Sequence, residues 1–583
     1  MSDEIEDKQG QEMDTDTVKK AGRGFLIITA AKVWFLLTSA VIQLGLPIFF
    51  DSAEKFGVFK IVTESVGWIN MVMITGTLHA VSKLVSEQPE RARAVVNMAV
   101  KMQLMLGVPV AALYLLASPW VASNVFNDTS LSGLMQLSAL IIFFYAFYAI
   151  FVGYFNGLKQ FTRQATLDFT FSTVKLIAIV GLVLLGFGVF GAVAGFVAAA
   201  GFICLLAAVW VISRMRKRTD QTEPADKEEA KKAFRRLLSY LVLIMLYTLA
   251  LNGLMRIDLL VLKAVASDLP AHLQNAQGME ELFVMMSNKF AGFYGAVLNI
   301  ARIPYQGVIA VTFVIFPLIS ESTFQEDQEQ TRQYIRETLR YCLLLIGVVA
   351  LLLAINADSI VGGLYAAEYL HASVPLAILS VAIIFFALFY VTTTMIIGSG
   401  HPKVAVVIMA ISMVMSAVLN YLFVRRIHDE TVSDFEALTP PAAQSGDPTQ
   451  IVAGAVATAK EHADFASPWL VESTQYMQWG ATATLIAMGT GFLLSVAWLW
   501  HRYGAAPPWL TILRLGLVAA VLLGIDALIH LPVEMVVEQG RPIYLAMVLG
   551  KMTLMGLVAL LILALAREFT ARDIERVRAV LSK

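Results

Sequence analysis

The residues of this chain that could do chemistry are charges set inside apolar sequence. Phe290 to Ser320 reads FAGFYGAVLNIARIPYQGVIAVTFVIFPLIS, about 30 residues, long enough to cross a bilayer as a helix. Arg302 is its one full charge, and at 1.5 Å per residue it lies roughly 16 Å deep. Pro304 follows, so the helix is expected to kink or loosen there. A lone arginine at that depth is costly and must face protein or water rather than lipid. Either Arg302 lines a central cavity and meets an anionic group of a cargo, or it is held by carbonyls freed at Pro304.

Other ionisable residues share this setting. Lys32 lies about 12 Å into the first apolar segment by the helical rise. Glu64 and His79 fall in the second segment. Asp168 and Lys175, seven residues apart on nearly one helix face, fall in the fifth. Arg256 and Asp258 sit near the outer end of the seventh, where they read as an ion pair, an outer gate or a proton or sodium coupling site. Lys32, Lys175 and Arg302 together would make a positive cavity suited to a phosphate or diphosphate. Two simpler outcomes compete with that reading: Lys175 pairs with Asp168, or Lys32 snorkels to the surface. Asp526, His530 and Lys551, in the last two segments, are expected to tie those helices together or face a groove.

No arrangement for covalent catalysis stands out, and the protein is not expected to be an enzyme. Phosphate-binding loops and CxxC pairs are absent from the sequence. The acidic string His428 to Glu436 (HDETVSDFE) is the only candidate metal patch and reads as a solvated loop. Cys204 and Cys342 lie in apolar sequence and read as packing residues. No cofactor or metal is expected.

The elements that must position these charges are membrane helices. Of 583 residues, 58% are hydrophobic and 15% charged, and the net charge is −1. That excludes a soluble globular protein and gives no field for nucleic acid. Fourteen apolar segments can be drawn, at roughly 24–50, 58–82, 95–122, 131–154, 166–188, 190–213, 238–263, 291–319, 338–361, 374–398, 403–424, 478–500, 509–531 and 542–566. One alternating set of connections carries about 29 Lys and Arg residues and the other about 8, which places both termini in the cytoplasm. Residues 1–23 read as a disordered cytoplasmic tail, 214–237 as a charged linker, 425–477 as an outer insertion and 567–583 as a second cytoplasmic tail.

Short strings recur at one spacing. Glu90 to Val95 precedes Glu329 to Tyr334 by 239 positions, and Leu78 to Ser82 precedes Phe316 to Ser320 by 238. Gly157 precedes Gly400 by 243, whereas Gly191 to Ala194 precedes Gly480 to Ala483 by 289. The larger last offset marks the outer insertion. Segments 1–6 (24–213) and 7–12 (238–500) therefore read as two parallel copies of a six-helix unit, with segments 13 and 14 (501–566) appended. Parallel repeats of this kind build transporters with the cargo site between the halves. The run Gly186 to Phe202, rich in small residues, reads as helix packing.

Several strings, in order along the chain, resemble the polysaccharide and lipid-linked oligosaccharide flippases of the MOP (multidrug, oligosaccharidyl-lipid, polysaccharide) superfamily, which includes Wzx, SpoVB and MurJ types. They are EKFGVFK (Glu54 to Lys60), GTLHAVSKLVSE (Gly76 to Glu87), GYFNGLKQF (Gly153 to Phe161), GFGVFGAVAG (Gly186 to Gly195), FYGAVLNIARIPYQG (Phe293 to Gly307), FPLIS (Phe316 to Ser320) and REFTARDIERVRAVL (Arg567 to Leu581). The resemblance implies a 14-helix, all-α integral membrane protein whose two lobes form a V around a central cavity, alternating between inward- and outward-open states. In the MurJ type a cationic cavity holds the lipid diphosphate, and Arg302 is the matching candidate here. The MurJ type also carries arginines in its first span, where this chain has Lys32, and that favours a polyprenyl-linked glycan other than lipid II. The implied protein is a monomeric flippase of the inner membrane, driven by a Na+ or H+ gradient or by the membrane potential. Its partners are the lipid-linked glycan and the bilayer, with no nucleic acid. The alternatives are a multidrug or small-solute exporter of the same superfamily and, more remotely, a membrane enzyme acting on lipid-linked sugars.

Overall fold

A computed structural model describes residues 30–217, 242–270, 279–438, 468–505 and 508–568. The expected tail at 1–23, most of the linker at 214–237, the centre of the insertion at 425–477 and nearly all of the tail at 567–583 lie outside the described residues. Within them the protein is all α, with no strand. Helices are the open-chain solution to lipid, because each satisfies its own backbone hydrogen bonds.

The chain divides into two compact units at Leu249 and Ala250. The first holds α1 (Ala30–Phe49), α2 (Ala53–Glu87), α3 (Ala92–Met105), α4 (Gly107–Asn124), α5 (Leu131–Gly157), α6 (Phe161–Leu182) and α7 (Gly188–Lys217). α8 (Val242–Leu254) runs across the division. The second unit continues with α9 (Ile257–Ala266), α10 (Met279–Ala301), α11 (Ile303–Phe324), α12 (Gln328–Ile355), α13 (Ala357–Leu364) and α14 (Ser373–Gly398). It closes with α15 (Pro402–Leu438), α16 (Pro468–Tyr503), α17 (Trp509–Leu528), the short α18 (Met535–Gln539) and α19 (Arg541–Leu565).

Each unit is built round one apolar helix. In the first, α5 packs against α2, α4 and α7, and α6 lies on α7. In the second, α14 packs against α11, α12 and α16, and α15 lies on α16. α17 and α19 pack on each other and on α12 through Leu344, Val518, Leu522, Met555, Ala559 and Leu563.

Eleven helices among the described residues are long and apolar enough to cross a membrane, twelve if α8 and α9, bent by 51°, make one span. The difference from fourteen segments has visible causes. Segments 166–188 and 190–213 form one 56-residue run, Phe161–Arg216, in which α6 and α7 meet at a wide π turn where Gly186 and Gly188 take positive φ. Segment 291–319 is divided between α10 and α11 at Arg302, and Pro304 stands in the first turn of α11, so the helix breaks where Pro304 predicts. The insertion is not all loop either: α15 runs on to Leu438 and α16 begins at Pro468.

The small-residue run is a packing surface. A Cβ on Gly195 would stand 2.7 Å from the carbonyl carbon and oxygen of Ala178, which are backbone atoms of α6 and cannot turn aside. Gly181 has nothing within 4 Å of that position. Gly195→Ala is therefore expected to destabilise the protein by about 1–3 kcal/mol. Thermal unfolding of detergent-purified protein would show a lowered midpoint for Gly195→Ala and an unchanged one for Gly181→Ala.

Candidate functional site

In the second unit, two helix breaks meet around one charged pair. α8 ends and α9 begins at a turn through Met255 and Arg256. α10 and α11 are interrupted at Arg302. A broken helix leaves backbone carbonyls without intrahelical partners, and in lipid only protein can replace them. Arg302 does so, donating from Nη2 to the carbonyl of Met255. The carbonyl expected to hold Arg302 thus comes from the neighbouring break, not from its own helix.

Asp258 lies in the first turn of α9, a position that favours a negative charge, and is only 1% exposed. Its Oδ1 accepts from the backbone N–H of Leu259 at 2.8 Å. Its Oδ2 accepts from the Tyr294 hydroxyl at 3.0 Å and from Thr484 Oγ1 at 3.4 Å. Asp258, Arg302, Met255, Leu298, Thr484 and Met488 are among the residues lining a small cavity with room for about one water molecule. Both bonds to Asp258 Oδ2 thus come from hydroxyls, with Arg302 lining the same cavity. Arg256 is the residue that precedes α9 and stands in the turn itself.

The charges of the first unit form a second group. Lys32 Nζ on α1 is 2.9 Å from Asp168 Oδ2 on α6, with side-chain exposures of 58% and 14%. The expected Lys175–Asp168 pair does not form. Lys175 Nζ instead stands 5.0 Å from the ring centre of Phe35, 5.4 Å from Phe171 and 5.6 Å from Phe196. Lys32 Nζ lies over the same Phe35 ring at 6.0 Å. Three aromatic faces attract a cation through their quadrupoles, more strongly where water is excluded. Trp34 fixes α1 on α6 by stacking on Phe169 at 5.2 Å and donating to Thr173 Oγ1 at 2.9 Å.

Sequence reasoning passed over several of these groups. Lys60, 2% exposed, pairs with Glu64 at 2.8 Å across one turn of α2; its i,i+4 spacing from Glu64 was the available signal. Lys263, fully buried, donates to Ser287 at 2.9 Å. Tyr294 and Thr484 carried no signal, being two hydroxyls in apolar sequence 190 positions apart. The expected tie between α17 and α19 is present as the Lys551–Asp526 pair at 2.5 Å. Glu568, just beyond α19 and 1% exposed, accepts from Thr511 at 2.7 Å and from Arg514, and lies 3.8 Å from Arg340 of α12. The HDETVSDFE string is helical in its described part, not a loop: His428 is fully buried against Tyr476 at 3.3 Å, while Asp429 and Glu430 pair with Arg425 and Arg426 at 2.9 Å.

A chain of long apolar helices, broken where charges and freed carbonyls meet, defines a multi-pass membrane protein of the transporter kind. The family model described as "Polysaccharide biosynthesis protein" matches residues 23–323, and the chain belongs to that family. Among solved structures it is similar to "Lipid II flippase MurJ, inward closed conformation", at 13% identity and a TM-score of 0.62, over 92% of this chain and 98% of that one. It is also similar to the inward-facing conformation of a multidrug resistance MATE family transporter of the MOP superfamily, at 14% identity and 0.56, over 81% and 98%. The outward-facing conformation of a MATE family transporter gives 14% and 0.52, over 82% and 95%. These likenesses establish the MOP-superfamily fold. No curated protein matches the chain in sequence.

If Arg302 and Asp258 hold each other's charge, removing one should harm the protein more than removing both. Arg302→Met is expected to cost about 3 kcal/mol by leaving a buried carboxylate uncompensated. Adding Asp258→Asn should recover most of that loss in a denaturant or thermal series on purified protein. Equal losses for the single and double variants would dismiss the pairing.

Proposed function

We propose that this protein is a flippase that carries a polyprenyl-diphosphate-linked oligosaccharide, a precursor of cell-envelope polysaccharide, across the cytoplasmic membrane. The observation that supports the reading is a set of cations in apolar helices, Lys32 and Lys175 in one unit and Arg302 in the other, in a chain of the polysaccharide biosynthesis family. Diphosphate oxygens accept charge-assisted hydrogen bonds from such groups. No bond of the cargo is made or broken. The head group passes through the protein while the polyprenyl tail stays in lipid.

The transport cycle in this reading is alternating access between two parallel six-helix repeats, within a fourteen-span chain that keeps both termini in the cytoplasm and works as a monomer. Support for the repeat comes from the packing order, since α5 with α2, α4 and α7 is matched by α14 with α11, α12 and α16. A Na+ or H+ gradient or the membrane potential supplies the drive, the last worth about 2.3 kcal/mol per charge per 100 mV. Asp258, buried in the cavity it shares with Arg302 and two residues after Arg256, is the coupling candidate. A cation bound there, or a proton, would weaken the hold of Asp258 on Arg302.

The test is translocation in proteoliposomes with a panel of polyprenyl-diphosphate glycans, scored by accessibility of the head group to an impermeant probe. Wild type is expected to move at least one of them, and Arg302→Ala, in a protein that still folds, to slow it by at least about tenfold. A wild type that moves none of them but exports a small organic cation would replace this reading with drug export.

A further inference from the structure

The pairing in the first unit raises a question of competition. Lys32, the more exposed of the two cations, is already neutralised by Asp168 at 2.9 Å, whereas Lys175 is flanked by three rings. Rings attract an ammonium but accept no strong hydrogen bond from it. Among the described residues no carboxylate is placed on Lys175. Both ammonium groups lie within about 6 Å of the centre of the single Phe35 ring.

We propose that Asp168 sets the charge threshold for cargo: it is an internal rival that an incoming anion must displace from Lys32. The inference rests on the lipid-diphosphate reading above. A bilayer offers a vast excess of phosphodiester headgroups, each with one negative charge. A singly charged headgroup gains little by replacing one carboxylate with one phosphate. A diphosphate diester carries two charges, so it can displace Asp168 from Lys32 and engage Lys175 as well. Discrimination of this kind comes from an element that disfavours the wrong ligand rather than from extra contacts to the right one. Trp34 and Phe35 of α1 hold the two lysines to a common wall, because α1 and α6 are joined there by the Trp34–Thr173 hydrogen bond and by stacking on Phe169.

The experiment uses the full chain in detergent, with farnesyl-diphosphoryl N-acetylglucosamine, a diphosphate diester, and a short-chain phosphatidylglycerol as probes, and compares their affinities by calorimetry. Wild type is expected to prefer the diphosphate. Asp168→Asn should bind phosphatidylglycerol about fivefold more tightly, the size of a partly exposed ion pair, and so narrow the preference. Asp168→Glu, which keeps the carboxylate, should behave as wild type. In a Lys32→Gln background the Asp168→Asn effect should vanish, and that background also serves if Asp168→Asn alone folds poorly. A wild type that prefers the diphosphate while Asp168→Asn leaves the preference unchanged, or changes it equally without Lys32, overturns the role of Asp168 and leaves the flippase reading standing. A wild type with no preference for the diphosphate removes both.

Discussion

The interior of a bilayer contains no water to complete a hydrogen bond, and every polar choice in this chain answers to that fact. A helix that breaks must find new partners for its carbonyls, and a charge that enters must find an opposite charge, a dipole or an aromatic face. Here the two needs are met by the same residues. Arg302 sits at one helix break and is satisfied by the carbonyl exposed at another. Asp258 sits in the first turn beyond that second break, within reach of two hydroxyls. Breaking α8–α9 without Arg302, or placing Arg302 in an unbroken helix, would leave a group unmet.

The two units solve the problem differently. In the second, the pair is enclosed and the solution is hydrogen bonding, with little room left over. In the first, Lys32 remains largely exposed while Lys175 is surrounded by rings. A cation held by quadrupoles is attracted without being saturated, which is a different state from one locked to a carboxylate. α17 and α19 are tied by a third device, in which the buried carboxylate of Glu568 gathers Thr511, Arg514 and Arg340.

Much of the architecture was legible because lipid imposes a coarse, one-dimensional code. Apolar runs mark helices, and a charge within one stands out against them, so Arg302, Lys32, Lys175 and Asp258 were all visible. Pro304 also announced the break at Arg302, since proline removes a hydrogen bond wherever it falls. Partner choice was harder to read. Asp168 and Lys175 share a face of α6 by spacing, yet α1 lies against that face and supplies both the rival lysine and the ring between them. Such a contact depends on how separate helices pack, which periodicity within one helix does not encode. The HDETVSDFE string misled because its polarity suggested a loop, whereas its regular i,i+4 pairs, Arg425 with Asp429 and Arg426 with Glu430, are those of an exposed helix.

α15 and α16 have a mechanical consequence. With 37 and 36 residues they are each about 55 Å long, against a hydrocarbon layer of about 30 Å. The apolar part of α15 lies at its start, so the surplus is its polar end, braced against α16 by His428 and Tyr476. That end is fastened to the helices before it, because Arg425 pairs with Asp268 just after α9 and the rings of His428 and Tyr476 meet Phe283 and Phe290 of α10. A shift of α15 and α16 must therefore carry Asp268, Phe283 and Phe290 with it, so their surplus length couples them to α9 and α10.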